Sequence, residues 1–311
     1  MTDTTDLFPS LPYEDWVETR DTLHLFLQII GKVRMKAHPK LNHWWHVTLY
    51  PDTRGLTTGR IPHMGRSFQI DYDLVDHVVH VTTNDGGQKA FAVLDPQGTA
   101  KTVAQFYDAL FEALQTLGID VTIVAKPYEN KSTTPFPDDH AQRAYDGTAV
   151  TRFWRALCSI ASVFETFRSR FTGKQTPVQL YWHSFDLVTT RFSGKAAPLE
   201  GGTASDKEAY SHEVISFGFW PGDDAFPHAA FYAYAYPEPA ELNTVALAPT
   251  SAQWVDRNGA LAVLTYDAMR TETDPQGAIL DFLQSVYDGA AAKAGWDAPS
   301  FEHTFLKPVA M

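Results

Sequence analysis

The sequence predicts an α+β protein made of two related halves, each with a helix, an antiparallel sheet and a second helix. The first observation is a short segment that occurs twice, a Trp-His pair followed by Thr-Arg at the same spacing. The two copies are Trp45-His46 with Arg54, and Trp182-His183 with Arg191. Similar segments in the same order along a chain indicate internal duplication. We therefore expect the halves to be related by a pseudo-two-fold axis.

The second observation is the tetrapeptide Asp-Pro-Gln-Gly, which occurs at residues 95–98 and again at residues 274–277. A helical pattern that closes one half follows each copy. The third observation is the Asn-Asp-Gly-Gly turn at residues 84–87, which lies between two strand-like segments. Tight turns join antiparallel strands, whereas parallel strands need crossover helices. These features predict the α+β class.

Four segments have the apolar spacing of amphipathic helices. Residues 16–36 and 150–172 open the two halves, because their apolar side chains recur at intervals of about 3.6 residues. Residues 103–117 and 279–287 show the same period and close the halves. In each half, one helix is therefore expected before the strands and one helix after them along the chain.

Strand patterns and turn signals fill the space between these helices. In the first half we expect strands at residues 42–50, 68–73, 77–81 and 90–94. In the second half we expect strands at residues 178–189, 213–219, 230–236 and 260–266. The second half is longer between equivalent motifs, and we expect the inserted residues at 199–227 and 266–273.

The predicted domain organisation has two halves and a connecting segment. The first half covers residues 11–125 and the second half, with its insertions, covers residues 140–298. Residues 126–139 are rich in Pro, Thr and charge, as is typical of a linker. The pattern leaves open whether the halves share one sheet and form one integrated domain.

Composition limits the partners. Lys and Arg number 25 against 37 Asp and Glu, and the formal net charge of −12 disfavours a polyanionic partner, so nucleic acid is not expected. A single cysteine, Cys158, allows no intramolecular disulfide and fits a reducing compartment. No signal peptide and no membrane span is expected. We predict a soluble cytoplasmic protein, with oligomeric state and cofactors unassigned.

The repeated histidines and arginines are the first candidate site residues. In one interpretation, His46 and His183 face a shared cavity, while Arg54 and Arg191 bind a carboxylate or phosphate, because a guanidinium offers two parallel donors and a fixed charge. In the other, the histidines and Trp182 belong to the core and the arginines pair with acidic residues of the neighbouring half. The sequence leaves both open.

The second half carries further candidates for acid–base chemistry. His183 and His212 are expected to carry protons, with Asp186 or Glu213 as the orienting carboxylate. The same four residues contain ligand types that divalent metals use, but their spacing matches no metal signature, so no metal site is assigned.

Tyrosines supply candidate hydrogen-bond donors. Three of them alternate with alanine in residues 231–236, so all three are expected on one face of a strand with alanine on the other. Of these, Tyr234 and Tyr236, together with Tyr210 and Trp182, are predicted to contact a ligand. A plain aromatic sheet face is the alternative explanation.

The chain resembles an uncharacterised bacterial family that is known only as a domain of unknown function. Specific blocks carry the resemblance: Asn42-His43-Trp44-Trp45-His46-Val47, Arg54-Gly55-Leu56-Thr57-Thr58, Phe153-Trp154-Arg155-Ala156-Leu157, Ser184-Phe185-Asp186-Leu187, Thr190-Arg191-Phe192-Ser193-Gly194, Tyr210-Ser211-His212-Glu213, Gly218-Phe219-Trp220-Pro221-Gly222 and Tyr234-Ala235-Tyr236-Pro237-Glu238. The resemblance implies one soluble family domain that spans both halves. It implies no reaction, ligand or catalytic residue.

These observations favour a protein with a polar, aromatic-lined pocket for a small anionic or carboxylate-bearing molecule, which could be an enzyme that uses His and Arg in acid–base chemistry. Two alternatives stay open. One is a non-catalytic binding or assembly module whose aromatic residues form core and a partner surface. The other is a metalloenzyme with His and carboxylate ligands.

Overall fold

Two six-stranded antiparallel sheets and the helices packed on them form the structure, which confirms the α+β class. The structure is a computed structural model and describes residues 7–302. The helices are α1 (Val17–Ala37), α2 (Val103–Thr116), α3 (Gly147–Arg168), α4 (Ala204–Ala209), α5 (Tyr266–Arg270) and α6 (Pro275–Lys293). Short 3-10 helices occupy Tyr13–Asp15, Asn42–Trp44, Phe136–Asp138, Leu242–Thr244 and Ala298–Phe301.

The first sheet has the order β1-β2-β4-β5-β6, with β3 paired to β4. Its strands are β1 (Tyr50–Pro51), β2 (Gly55–Thr57), β3 (Ile61–His63), β4 (Arg66–Asp73), β5 (Val78–Thr83) and β6 (Gln88–Ala92). The second sheet has the order β11-β12-β10-β9-β8-β7. Its strands are β7 (Gln179–Tyr181), β8 (Asp186–Ala196), β9 (His212–Trp220), β10 (Ala230–Tyr236), β11 (Gln253–Asp256) and β12 (Ala260–Thr265).

The two sheets are separate but touch at one point. Leu49, which directly precedes the edge strand β1, and Leu180 of the edge strand β7 exchange two backbone hydrogen bonds, of 2.9 and 2.8 Å. The indole Nε1 of Trp182 also donates to the carbonyl oxygen of Val47 at 2.8 Å. One hydrophobic core combines side chains from both halves. The segment 126–139 is attached to α1, because the side chain of Gln28 forms hydrogen bonds with both the backbone N–H and the carbonyl oxygen of Tyr128.

Each sheet packs one face against helices. In the second sheet Phe217 lies 4.9 Å from Phe167 of α3, and Ala233 joins the core that includes α6. In the first sheet the ring of Tyr72 on β4 lies 6.0 Å from the ring of Phe106 on α2, measured between ring centres. Alternation along the strands thus buries one face of each sheet, as the period-two pattern of residues 231–236 predicts.

Both segments that carry a Trp-His pair were expected as continuous strands, and both predictions are wrong. Residues 42–44 form a 3-10 helix in which His43 and Trp44 have positive φ angles of 54° and 61°. Residues 182–185 form the turn between β7 and β8, with Phe185 at φ 60°. Tertiary contacts of these aromatic side chains override the strand propensity of the segment.

The repeated Asp-Pro-Gln-Gly motif has two different roles. Asp274 caps α6 by accepting a hydrogen bond from the backbone N–H of Gly277. Asp95 instead holds a loop by accepting from the N–H groups of Gln97 and Thr99. Both halves have the order helix, sheet, helix, but the internal duplication itself stays a prediction.

Helix α1 is joined to the turn between β7 and β8 by His24. Its Nε2–H donates to the carbonyl oxygens of Trp182 and His183, 2.9 and 3.1 Å away. Burial, with a smaller effect of the Arg20 charge, lowers the pKa of His24 to about 4. The imidazole is therefore neutral in the folded protein at pH 7.

We expect this buried imidazole to make stability fall in acid. The unfolded chain takes up the proton near pH 6.5 and the folded chain only near pH 4, so stability is complete above pH 6.5 and decreases down to pH 4, by about 3 kcal/mol. Urea unfolding of the wild type and of His24→Gln between pH 7 and pH 4 measures this. The free-energy difference between them should change by about that amount, and parallel pH profiles would contradict the assignment.

Gly31 on α1 touches the indole ring of Trp182 so closely that a methyl group there would overlap the ring. Gly→Ala in a helix interior normally stabilises by about 1 kcal/mol. We expect Gly31→Ala to destabilise instead, by about 1–3 kcal/mol, because the buried indole cannot move aside freely. Denaturant unfolding measures the effect. The penalty should shrink when Trp182→Phe is added, and equal penalties in both backgrounds would contradict the contact.

Candidate functional site

Side-chain alternation along β8 decides which residues face the open side of the second sheet. Asp186 and Thr190 lie on one face, whereas Arg191 lies on the opposite, helix-facing side. The face that carries Asp186 and Thr190 extends across the neighbouring strands, because Thr190 pairs with Ser216 and Ser216 pairs with Tyr234. The hydroxyls of Thr190 and Ser216 bond to each other at 2.9 Å.

This face forms one wall of a cavity of about 530 Å³, a volume typical of small-molecule sites. We refer to it as the aromatic cavity. Parts of α1, the segment 43–47, residues 128–129 and the short helix α4 complete its wall. The aromatic side chains that line it include Trp44, Trp45, Trp182, Tyr181, Tyr210, Tyr232 and Tyr234.

The carboxyl group of Asp186 lies in the wall and accepts hydrogen bonds at both oxygen atoms. The Ser184 hydroxyl donates to its Oδ1 at 2.5 Å, and the Tyr232 hydroxyl donates to its Oδ2. Tyr232 is on β10 and Asp186 on β8, so the tyrosine ring must cross the intervening strand β9. Gly218 of β9 lies under the ring, and a methyl group there would overlap it. A glycine at this position therefore makes the Tyr232–Asp186 bond sterically feasible.

Burial shifts the titration of these groups. It raises the pKa of the Asp186 carboxyl, while its hydroxyl donors act in the opposite direction. Burial also raises the pKa of Tyr232 and of Tyr234 well above the usual value. Tyr234 and Tyr210 bond through their hydroxyls at 2.8 Å. At neutral pH the tyrosines are thus protonated and the wall is rich in O–H donors.

His183 and Glu129 form a second titratable pair in the wall. The His183 Nδ1 lies 3.9 Å from a carboxylate oxygen of Glu129, and His183 lowers the pKa of that carboxyl. Within residues 7–302 the His183 Nδ1 has no hydrogen-bond partner. Glu129, rather than the expected Asp186 or Glu213, is the carboxylate paired with this imidazole.

Five of the residues predicted from the sequence line the aromatic cavity: Trp182, His183, Asp186, Tyr210 and Tyr234. The turn after β7 carries Trp182 and His183, while Asp186 on β8 and Tyr234 on β10 lie on the cavity face of the second sheet. Tyr210 directly follows α4 and reaches the cavity beside Tyr234.

Other predicted residues lie beside the cavity or away from it. His212 contacts the cavity residue His43 edge-on at 5.2 Å, and Tyr236 packs against Tyr210 at the same distance. His46 is buried, where its Nδ1 accepts from the backbone N–H of Leu41. Glu213 accepts a hydrogen bond from Ser193 at 2.7 Å and does not line the cavity.

The two arginines do not face a shared cavity, which corrects the expectation of a double guanidinium site. Arg54 is exposed at the surface and pairs with Asp73 and Asp76 of its own half, at 2.5 and 2.6 Å. Arg191 is 2% exposed on the helix side of the sheet, where its guanidinium lies 3.6 Å from the ring centre of Phe167. Burial lowers the pKa of Arg191 to about 9.

Sequence reasoning did not select several wall residues, among them Lys32, Glu129, Tyr181 and Tyr232. The alternation that separates Asp186 from Arg191 was readable from the sequence, since the two are an odd number of positions apart. Lys32 also gave a signal, because a lysine follows His24 and Gln28 at helical spacing within an apolar helix. Glu129 had no signal, since it lies in the segment expected as a linker.

Within residues 7–302, no three His, Cys, Asp or Glu side chains are grouped as ligands for one metal ion. In the same range, every helix is too short or too polar to cross a lipid bilayer.

In the comparison with known protein families, the model of a family of unknown function matches residues 8–303. The chain belongs to the DUF5996 family. The match spans both sheets, in agreement with one family domain across both halves. No curated protein and no solved structure matched the chain. The function of this DUF5996 protein therefore has to be argued from its own site.

Tyr232→Phe tests the hydrogen bond across β9 in this DUF5996 protein. The hydroxyl of Tyr232 stabilises the ionised form of Asp186, so its removal should raise the pKa of that carboxyl further. NMR titration of the carboxyl carbon measures the shift. Tyr210→Phe is the matched control, since its hydroxyl bonds to Tyr234 and not to Asp186. An unchanged or lowered pKa of Asp186 in Tyr232→Phe would rule out the bond.

Proposed function

We propose that this DUF5996 protein binds a small organic molecule in the aromatic cavity and transfers a proton to or from it at Asp186. The observation that carries the proposal is a half-buried carboxyl held by two hydroxyl donors in the wall of a cavity of small-molecule size. Carboxyl groups with raised pKa in concave sites are typical of acid–base residues.

The composition of the wall supports this function. Tryptophan and tyrosine rings offer apolar surface for the body of a ligand, and the tyrosine hydroxyls offer donors for its oxygen atoms. Backbone pairing of three strands holds Asp186, Ser216 and Tyr234 in place. A rigid sheet of this kind positions reacting groups better than a loop does.

Two titratable groups in different surroundings also support acid–base chemistry. Burial raises the pKa of Asp186, whereas His183 lowers the pKa of Glu129. Carboxyl groups whose environments shift their pKa values in opposite directions commonly act as the acid and the base of one reaction. In this proposal Asp186 exchanges the proton, and His183 with Glu129 forms a second proton-transfer group.

Asp186→Asn tests the proposal, because the amide keeps the shape of the carboxyl but cannot exchange a proton at neutral pH. A cellular metabolite extract is incubated with wild-type or variant protein, and mass spectrometry records which compounds change. We expect compounds that the wild type converts and that the variant converts at least about 100-fold more slowly. Glu213→Gln is the matched control, since this carboxyl lies on the same sheet outside the cavity.

The same samples separate binding from chemistry. Compounds retained by the wild type and released on denaturation identify the ligand. A retained ligand that no protein sample converts would indicate a binding protein without catalysis, and would overturn the proton-transfer part. Equal conversion by the wild type and Asp186→Asn would move the chemistry to another residue.

A further inference from the structure

Lys32 is a buried cation that has no anionic partner in the part of the chain that the structure describes. It lies on α1, is 6% exposed and lines the aromatic cavity. Among residues 7–302, no carboxylate lies within ion-pair distance of its ammonium group and no hydrogen bond involves it. Its contact is the ring of Trp182, with Nζ 5.4 Å from the ring centre.

A buried ammonium group without a counter-ion destabilises the fold. Its side chain is buried, so the ammonium group loses hydration, and this burial lowers the pKa of Lys32. The face of the Trp182 ring compensates in part, since an indole attracts a cation. A ligand anion would supply the missing partner and restore the charged form.

The acidic groups of the wall do not offer that partner. Asp186 already accepts from two hydroxyls, and Glu129 is next to His183. Asp206 caps α4, where its Oδ2 accepts from the backbone N–H of Thr203 at 2.8 Å. These three acidic side chains of the wall thus have other partners, and none of them pairs with Lys32.

A second lysine lies close to the cavity without a carboxylate partner among the described residues. The Nζ of Lys174 donates to the Nε2 of His43 at 2.6 Å and lies 5.5 Å from the ring centre of Trp45. Two tryptophans of the wall, Trp45 and Trp182, therefore each have a lysine ammonium near the ring. In a chain of net charge −12, this places positive charge around one cavity.

We propose that Lys32 is the anion-binding residue of the aromatic cavity and that the ligand is a small aromatic carboxylate. The carboxylate pairs with the Lys32 ammonium, and the ring of the ligand packs against Trp182 and the neighbouring aromatic side chains. The inference rests on the ligand-binding part of the proposed function and is independent of proton transfer at Asp186. It assigns to Lys32 the role that the sequence suggested for Arg54 and Arg191.

Paired probes test the charge requirement in the wild-type protein. Benzoate is compared with benzamide, and 4-hydroxybenzoate with 4-hydroxybenzamide, because the members of each pair differ in charge and little in shape. Inorganic phosphate is the third probe. Isothermal calorimetry should show each carboxylate binding at least about tenfold more tightly than its amide, as expected for a hydrogen bond to a charged group in a desolvated site.

Matched variants test the residue. Lys32→Met should remove the preference for the carboxylate. Arg191→Met is the control, because it also replaces a buried cation that has no carboxylate partner among the described residues, but on the helix side of the sheet. It should keep the preference. Lys32→Gln is the second variant in case the methionine variant does not fold, and the midpoint of thermal unfolding confirms the fold of each.

The outcomes separate this inference from the proposed function. Equal binding of carboxylate and amide, or no binding of either, overturns the inference, and so does a preference that survives in Lys32→Met. Phosphate that binds as tightly as the carboxylates overturns the carboxylate class. Equal binding within a pair would still agree with a cavity that binds small molecules. A Lys32-dependent preference, combined with no conversion of any compound in the metabolite extract, supports the inference and contradicts only the proposed proton transfer.

Discussion

The side chain of Trp182 connects the parts of this DUF5996 protein. Its indole packs on α1 at Gly31 and donates to the backbone of Val47, close to the place where the two sheets touch. The same ring forms part of the aromatic cavity and lies beside the ammonium group of Lys32. The contact that holds the two halves together therefore also shapes the candidate site. A change at this residue would affect packing and ligand binding together, and the two effects have to be separated by measuring both.

Strand alternation divides the second sheet into a structural and a functional face. One face meets α3 and α6, and its buried cation Arg191 is stabilised by aromatic rings and the carbonyl oxygen of Phe167. The other face carries Asp186 and a row of hydroxyl groups toward the cavity. Both faces contain buried charge, and the cavity face borders a space of small-molecule size. Position relative to the sheet, rather than residue type, thus separates a structural cation from a candidate binding residue.

The cavity keeps groups that a purely structural core would exclude. A buried lysine with no counter-ion among residues 7–302 and a half-buried carboxyl both oppose folding, because burial disfavours their charged forms. Proteins commonly tolerate such groups at sites where a ligand or a reaction uses them. The surrounding frame is rigid enough to hold them, since three paired strands and the buried helix α1 support the wall.

Local pattern determined the fold class, the main helices and most of the central strands, because apolar periodicity and strand alternation are properties of neighbouring residues. The turn at residues 182–185 brings His183 and Asp186 to the same cavity, whereas a continuous strand would place them on opposite faces. The turns around both Trp-His pairs were not readable, since contacts with distant parts of the chain impose their positive φ angles. The same limit applies to the partners of charged groups. The tertiary structure decides which segments lie within a few ångströms of each other, and a single sequence does not contain those distances. It therefore decides that Arg54 pairs with aspartates, that Glu129 lies next to an imidazole, and that no carboxylate of the described residues pairs with Lys32.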